Sequence, residues 1–456
     1  MKKSILVLVA LLIAFAPAYA QEANKEAKKA EVKSHLKQHF KPYGFIRNYF
    51  TYDSRESISG TGDLYNYQPK DQKLNAYGDD LNATSTFRFL SLTTRVGLNI
   101  VDYKWRNTEF SGKIEADFYA GLSKVKSPAG VEQTHAVSGT AQFRLRQAYV
   151  TLGWDSLKMG KDFARVDLTI GQTWHPMAAD LCDVIALASG APFGPFNRSP
   201  QVKMDARLGK YVTLTAAGLW QMQYLSTGPE GQSAEYMLYS KTPEAYLGLS
   251  FHDKGFLMRV GADVLSIQPR HLGTDAAGET IKVNDRITTA SPFIYLQYKK
   301  GEFSIKAKSI FAEAGEHMNL NSGYGISKIN PDGSYEYTPL RNSSSWISIV
   351  YGGKVGAQED KHPQKLQGIL FAGYIHNFGT KDTLVGSLYT PRPNTMREMW
   401  RLTPTLLYTV GKFQVGLEYE ITSVQYGKGL DKHGLAQNDL HWVTNHRVQL
   451  MTKYNF

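Results

Sequence analysis

Residues 398–424 read EMWRLTPTLLYTVGKFQVGLEYEITSV, two alternating segments joined by Gly411-Lys412. In the second segment Phe413, Val415, Leu417, Tyr419 and Ile421 fall on one face, against Gln414, Glu418 and Glu420 on the other. A period of two is the mark of a β-strand with one apolar and one polar side. Soluble strands usually run about five or six residues, whereas a tilted strand crossing a bilayer needs about 9–11. Segments of this length, joined by so short a turn, predict a membrane hairpin.

The same period recurs near 43–52, 87–101, 110–120, 143–154, 163–172, 201–209, 211–224, 244–252, 255–267, 289–299, 302–313, 344–352, 366–377, 398–410, 413–424 and 444–456, which predicts sixteen strands. Short connections at Gly209-Lys210, His252-Asp253-Lys254-Gly255, Lys299-Lys300-Gly301 and Gly411-Lys412 alternate with long ones at 53–86, 121–142, 173–200, 225–243, 268–288, 314–343, 378–397 and 425–443. The turns at 102–109 and 353–365 are less regular. A barrel with tight periplasmic turns and long extracellular loops shows this asymmetry, and a soluble sandwich has no reason to. The predicted fold class is therefore all-β, a transmembrane antiparallel β-barrel of about sixteen strands.

Face assignments agree. Val96, Leu98 and Ile100 oppose Arg95 and Asn99; Ile114, Ala116 and Phe118 oppose Lys113, Glu115 and Asp117. Val202, Met204, Ala206 and Leu208 oppose Lys203, Asp205 and Arg207, while Phe303, Ile305, Ala307 and Phe311 oppose Lys306 and Lys308. The final strand sets Val448, Leu450, Tyr454 and Phe456 against Arg447, Gln449, Lys453 and Asn455. An amphipathic last strand ending in Phe resembles the targeting signal of bacterial outer-membrane barrels.

The N-terminus indicates export. Lys2 and Lys3 precede an apolar run from Ile5 to Ala16 and an Ala18-Tyr19-Ala20 cleavage site, so 1–20 reads as a signal peptide. Residues 21–41 read as a charged periplasmic arm or short helix, and 42–456 as the barrel. Removing Lys2 and Lys3 takes the net charge from +11 to +9. A basic exported protein is expected to meet an anionic surface or solute and no nucleic acid. One cysteine, Cys182, excludes an internal disulfide and a Cys-based metal cage.

Over roughly 42–456 the chain resembles the sixteen-stranded general porins of the Gram-negative outer membrane. The runs GQTWHPMA at 171–178 and LRQAYVTLGW at 145–154 are similar to the DcaP-like porins. That resemblance implies a homotrimer in contact with the lipid bilayer and lipopolysaccharide, and small anionic or polar solutes as cargo. It also implies a third external loop, here 173–200, folded into the lumen as a constriction, with a short helix over Met177 to Ala188. The family's long N-terminal coiled coil is not matched by the short segment 22–41.

The polar faces predict a basic lumen. Arg95, Lys113, Lys203, Arg207, Arg259, Lys306, Lys308, Arg397, Arg401, Arg447 and Lys453 make eleven cations against Glu115, Asp117, Asp205, Asp263, Glu418 and Glu420, six anions. The candidate pore-lining residues are Arg95, Arg144, Arg146, Lys203, Arg207, Arg397 and Arg401 on the wall, facing Asp180 and Asp183 of the loop. Arg144 and Arg146 share a face with Val150 and Leu152 unless a bulge intervenes. A basic wall opposite an acidic loop sets a transverse field that favours anions. Tyr43, Tyr49, Trp154, Phe251, Tyr298, Tyr408 and Tyr454 fall near strand ends, where interfacial aromatic belts sit. A water-filled barrel of this size is expected to have no apolar core.

Enzymatic signals are weak: there is no GxSxG, phosphate loop or HExxH, so no catalytic residue and no cofactor is expected. No metal site is expected either, since the twelve histidines are scattered and His433, His441 and His446 lack ligand spacing. Asp71, Asp79, Asp80 and Asn82, or Asp332 and Asn330, read as turns in preference to calcium ligands. The leading function is passive diffusion through an outer-membrane porin. A surface-binding barrel acting through its long loops and a channel for hydrophobic substrates are the alternatives.

Overall fold

A computed structural model describes residues 38–60, 64–91, 93–126, 132–159, 162–185, 190–355 and 363–456, side chains excepted at 119–142 and 156–163. The expected signal peptide at 1–20, and the expected arm as far as residue 37, lie outside these residues. One hydrogen-bonded sheet of twenty segments closes on itself. Three segments are short additions (Gly323–Ile329, Lys354–Val355 and Leu388–Tyr389), and two are halves of one strand, which leaves sixteen staves.

The staves are β1 (Phe40–Asp53), β2 (Thr86–Leu90 and Arg95–Trp105), β3 (Thr108–Lys126), β4 (Glu132–Met159), β5 (Asp162–Trp174), β6 (Arg198–Leu208), β7 (Val212–Leu219) and β8 (Glu244–Asp253). They continue with β9 (Phe256–Ile267), β10 (Ile287–Lys300), β11 (Phe303–Glu313), β12 (Tyr335–Tyr351), β13 (Gln364–Thr380), β14 (Met396–Val410), β15 (Phe413–Leu430) and β16 (Ala436–Asn455). Every neighbouring pair is antiparallel, and β1 pairs with β16 from Phe45↔Asn455 to Asp53↔Arg447. Tight turns use glycine where φ is positive: Gly209 and Gly411 adopt φ of 62° and 54°.

The period-2 faces come out as read. Along β10 the burial pattern runs BeBeBeBeBe, with buried side chains inside and Ile294, Leu296 and Tyr298 outside. Val96, Ile114, Val202, Leu417, Val448 and Leu450 are exposed on the outer wall. A belt of this kind is stable only against lipid or another apolar surface.

Several strand ends differ from expectation. The ladder of β3 with β4 continues from Leu122↔Ala136 to Lys126↔Glu132, so these parts of 121–142 are paired strand and not open loop. Likewise 425–443 is mostly strand, because β15 and β16 pair as far as Leu430↔Ala436. The turn at 102–109 shrinks to Arg106-Asn107, while β2 breaks at 91–94, where Thr93 takes φ of 69°.

Tyr43 and Tyr49 are corrections to the aromatic belt. Both point inward, Tyr43 donating to Glu115 at 2.7 Å and Tyr49 fully buried, since β1 alternates inward on its odd residues. Phe251, Tyr298, Tyr408 and Tyr454 do face outward. The lumen also holds an apolar cluster that includes Met177, Phe193, Met318, Leu320, Trp346, Phe371 and Met399. Inserted loops supply its inner half, so the interior is packed where open water was expected.

Leu417 pairs with Leu450 on the outer wall. Leu417→Arg is expected to lower barrel stability by about 2–4 kcal/mol, the cost of a cation near the bilayer midplane. Reversible urea unfolding in phospholipid vesicles measures the loss.

Candidate functional site

The segment after β5 lies inside the barrel, as its contacts establish. Lys308 of β11 donates to the carbonyls of Met177 at 2.6 Å and Asp180 at 3.1 Å. The Asp183 amide donates to Ser348 of β12, and the Ile185 amide to Glu418 of β15 at 3.1 Å. Ser344 of β12 reaches the Phe193 carbonyl at 2.8 Å, and Arg401 of β14 the Ala191 carbonyl, also at 2.8 Å. These contacts come from four staves, β11, β12, β14 and β15, along one arc of the wall.

They also explain why the described part of the segment expected to be helical, Met177 to Ile185, forms no α-helix. Backbone groups that a helix would pair with each other are taken by wall side chains, and only the 3-10 turn Pro176–Ala178 remains before the undescribed residues 186–189.

Two further loops enter the lumen, which sequence reading missed. The hairpin Ser57–Gly60 with Tyr65–Pro69 buries Tyr65, Tyr67, Asn66 and Gln68. Arg447 donates to Leu64 O at 3.0 Å, Arg401 donates to Asn66 O, and Asn66 donates to Glu420 at 3.0 Å. The loop after β11 contributes Gly315–Met318, all buried. Both loops contain apolar residues spaced too irregularly for a periodic signal.

Arg95, Arg144 and Arg146 come together around two carboxylates of β3. Arg144 forks onto Asp117 at 3.0 and 3.1 Å. Arg146 bridges Glu115 at 2.9 Å and Asp117 at 2.6 Å, and Arg95 reaches Glu115 at 3.4 Å. The bulge needed to turn Arg146 inward is present. Glu115 pairs with Gln147 and Ala116 with Leu145, so Arg146 is the extra residue and Leu145 and Phe143 face out.

Three more cations join this cluster. Arg47 and Lys453 form a cross-strand pair on the β1–β16 seam and sit over the Phe45 ring at 4.8 and 4.6 Å, with Arg95 over the same ring at 5.0 Å. Arg198 stacks on Trp174 at 4.7 Å and lies within electrostatic range of Arg144 and Arg146. Arg47 and Arg198 had no sequence signal as lumen residues, because Arg47 shares a face with Tyr43, Phe45 and Tyr49 and Arg198 fell within a loop. The cluster thus sets six cations against Glu115 and Asp117, a surplus of four positive charges.

Other candidates lie elsewhere. Lys203 pairs with Asp205 at 2.6 Å and, with Arg207 and Arg259, lines a polar recess of about 570 Å³ roofed by Pro176 and Ala179. Asp180 and Asp183 do not stand opposite the arginine cluster. They pair with Arg259 at 3.0 Å and Lys306 at 2.9 Å, which fasten the loop to β9 and β11. Arg397 occupies a bulge at the start of β14 and donates to Ala436 O at 3.0 Å, away from the cluster. Arg401, only 1% exposed, holds two loops by their carbonyls and lies 3.4 Å from Glu420.

Arg401→Ala strands a buried carboxylate and two loop carbonyls, so it is expected to cost about 3–5 kcal/mol in denaturant unfolding of the detergent-solubilised barrel. Arg401→Lys, a point charge without the fork, is expected to recover less than half of that. Desolvation of the half-buried Cys182 thiol, with Asp183 beside it, pushes it up to about 12. Maleimide labelling of native protein at pH 8 is therefore expected to be slower than labelling of the urea-unfolded chain by about a thousandfold.

No protein-family model and no curated protein matches the chain. By fold it is similar to the outer-membrane channel DcaP of Acinetobacter baumannii, at 16% identity and a TM-score of 0.61, covering 91% of this chain and 97% of that one. It is also similar to the anion-selective porin of Comamonas acidovorans, at 10% identity and a TM-score of 0.47 over 91% and 99% of the two chains. OmpT, an outer-membrane protein of Vibrio cholerae, is similar at 11% identity and 0.47 over 91% and 97%. At such identities the likeness is one of fold. The chain is a closed sixteen-stranded antiparallel barrel with the architecture of the outer-membrane channel DcaP.

Proposed function

We propose that this protein is a passive channel of the bacterial outer membrane for small hydrophilic solutes, with a preference for anionic ones such as carboxylates or phosphate-like molecules. The observation that carries this reading is the surplus of cations over carboxylates where Arg47, Arg95, Arg144, Arg146, Arg198 and Lys453 meet. Guanidinium forks match carboxylate and phosphate oxygens in pairs, and rings of Arg and Lys replace part of an anion's lost hydration. Glu115 and Asp117 hold the arginines in place without cancelling them. The polar recess lined by Lys203, Asp205, Arg207 and Arg259 gives a solute a further polar stretch, in which Lys203 and Arg259 are already paired with Asp205 and Asp180.

The apolar outer belt and the fold shared with a named outer-membrane channel support the location and the channel role. In this reading residues 1–20 direct export, 21–41 form a periplasmic arm, and the segment 173–200 is the constriction. The barrel works as a homotrimer among lipids and lipopolysaccharide, and no catalytic step is involved.

Planar-bilayer recording under a potassium chloride gradient tests this. Purified protein is expected to conduct with a reversal potential of anion-selective sign. Arg47→Gln combined with Lys453→Gln is expected to reduce the anion-to-cation permeability ratio about thirtyfold, since two unit charges at ~8 Å in water attract an anion and repel a cation by about 1 kcal/mol in each case. A cation-selective wild type, or one without conductance, defeats the proposal.

A further inference from the structure

Apart from the arginine cluster, the lumen holds a buried group of four residues that the channel reading does not use. His175 follows β5, Glu244 opens β8, Asp263 lies on β9 and His317 sits in the loop after β11. All four side chains are 0–1% exposed. His175 Nε2 is 2.6 Å from Glu244 Oε1 and 3.5 Å from Asp263 Oδ1. His317 Nε2 is 3.4 Å from Glu244 Oε1 and 3.4 Å from Asp263 Oδ2. Glu244 Oε2, Asp263 Oδ1 and His317 Nε2 are buried without a hydrogen-bond partner.

The neighbours of the two imidazoles fix their protons. The Met177 amide can only donate, and it donates to His175 Nδ1 at 3.1 Å. The His175 proton is therefore on Nε2, where it is given to Glu244, and the ring is neutral. The Ala314 carbonyl can only accept, and it accepts from His317 Nδ1 at 3.2 Å. His317 thus turns a bare Nε2, or one that has gained a cation, toward two carboxylates. One imidazolium cannot balance two carboxylates, and an unbalanced buried charge is costly. A divalent cation balances them fully.

Two of the three donor separations fit as well, and a ligand atom of Glu244 lies within 4.8 Å of one of Asp263. Tetrahedral donors about 2.0–2.1 Å from a metal lie about 3.3–3.4 Å apart, which is the separation of His317 Nε2 from each carboxylate. The 2.6 Å contact of His175 is instead a hydrogen bond, the outer-shell support that orients a ligating carboxylate.

We propose that His317, Glu244 and Asp263 bind a divalent transition-metal cation of the zinc–manganese class, with His175 as a positioning residue on Glu244. The ion ties both inward loops to β8 and β9. The proposal does not depend on what the channel carries.

The test is to refold the full chain from urea into detergent with zinc chloride, manganese chloride or EDTA, dialyse, and measure metal by plasma mass spectrometry. About one ion per folded chain is expected with zinc or manganese, with a higher melting midpoint than after EDTA. Asp263→Asn and His317→Ala are expected to retain less than a tenth of the wild-type metal. His175→Ala is expected to lower affinity about 10–100-fold while reaching the same content at saturating metal, as outer-shell losses do. Should the variants not fold, cobalt-refolded wild type provides a second readout, with visible absorption bands of a nitrogen–oxygen site expected. Wild type that keeps no more zinc or manganese than Asp263→Asn, or that gives no such cobalt bands, overturns the proposal.

Discussion

Everything in this molecule depends on closing β1 against β16. Inside hydrocarbon no backbone amide or carbonyl finds water, so a sheet survives only if it has no edge. Here the seam is pinned at both ends. Arg447 forks onto Asp53 at 2.8 and 2.9 Å at one end, and the Phe456 amide donates to Gly44 O at 3.0 Å at the other. The same register sets Arg47 directly opposite Lys453. Like charges across a ladder are unfavourable, and the Phe45 ring between them offsets part of that cost. Closure of the barrel thus brings together two of the six cations of the basic cluster.

Closure also creates an interior that the chain must then fill. The inserted loops bring carbonyls into a closely packed part of the lumen, and the wall answers with buried cations. Lys308 takes two carbonyls of the segment after β5, Arg447 takes Leu64, and Arg401 takes Ala191 and Asn66. Carbonyl dipoles compensate these cations only in part, which is why Glu420 lies beside Arg401 and Asp53 beside Arg447. With the polar edges satisfied, Met177, Phe193, Met318 and Leu320 pack against Trp346, Phe371 and Met399 as a soluble core would.

The barrel was legible because lipid and lumen impose opposite demands on successive residues, so Val448 and Arg447 declare their faces by parity alone. Parity fails where a strand faces an inserted loop. Tyr43 and Tyr49 look interfacial in sequence, yet they meet Glu115 and Ile185 inside. It also fails at bulges, where Arg146 and Arg397 leave the alternation. Asp180 and Asp183 were identifiable as loop acids, but their partners Arg259 and Lys306 are set by how the loop crosses the lumen. His175 and His317 are far apart in sequence, and only the docking of two loops brings them to the same carboxylates.

The distribution of charge separates holding from conducting. Asp180 and Asp183 are consumed in fastening a loop, so they lend little field to the lumen, and Arg259 and Lys306 are consumed with them. What remains uncancelled is concentrated around Glu115 and Asp117. There each cation is already partly compensated, by a carboxylate for Arg144 and Arg146 and by aromatic rings for Arg198, Arg47 and Lys453. Partial compensation suits passage: a fully bare cluster would hold an anion too long, and a neutral one would not replace its hydration. Both kinds of compensation are built into the wall, so the field in this stretch of the lumen is set by the fold.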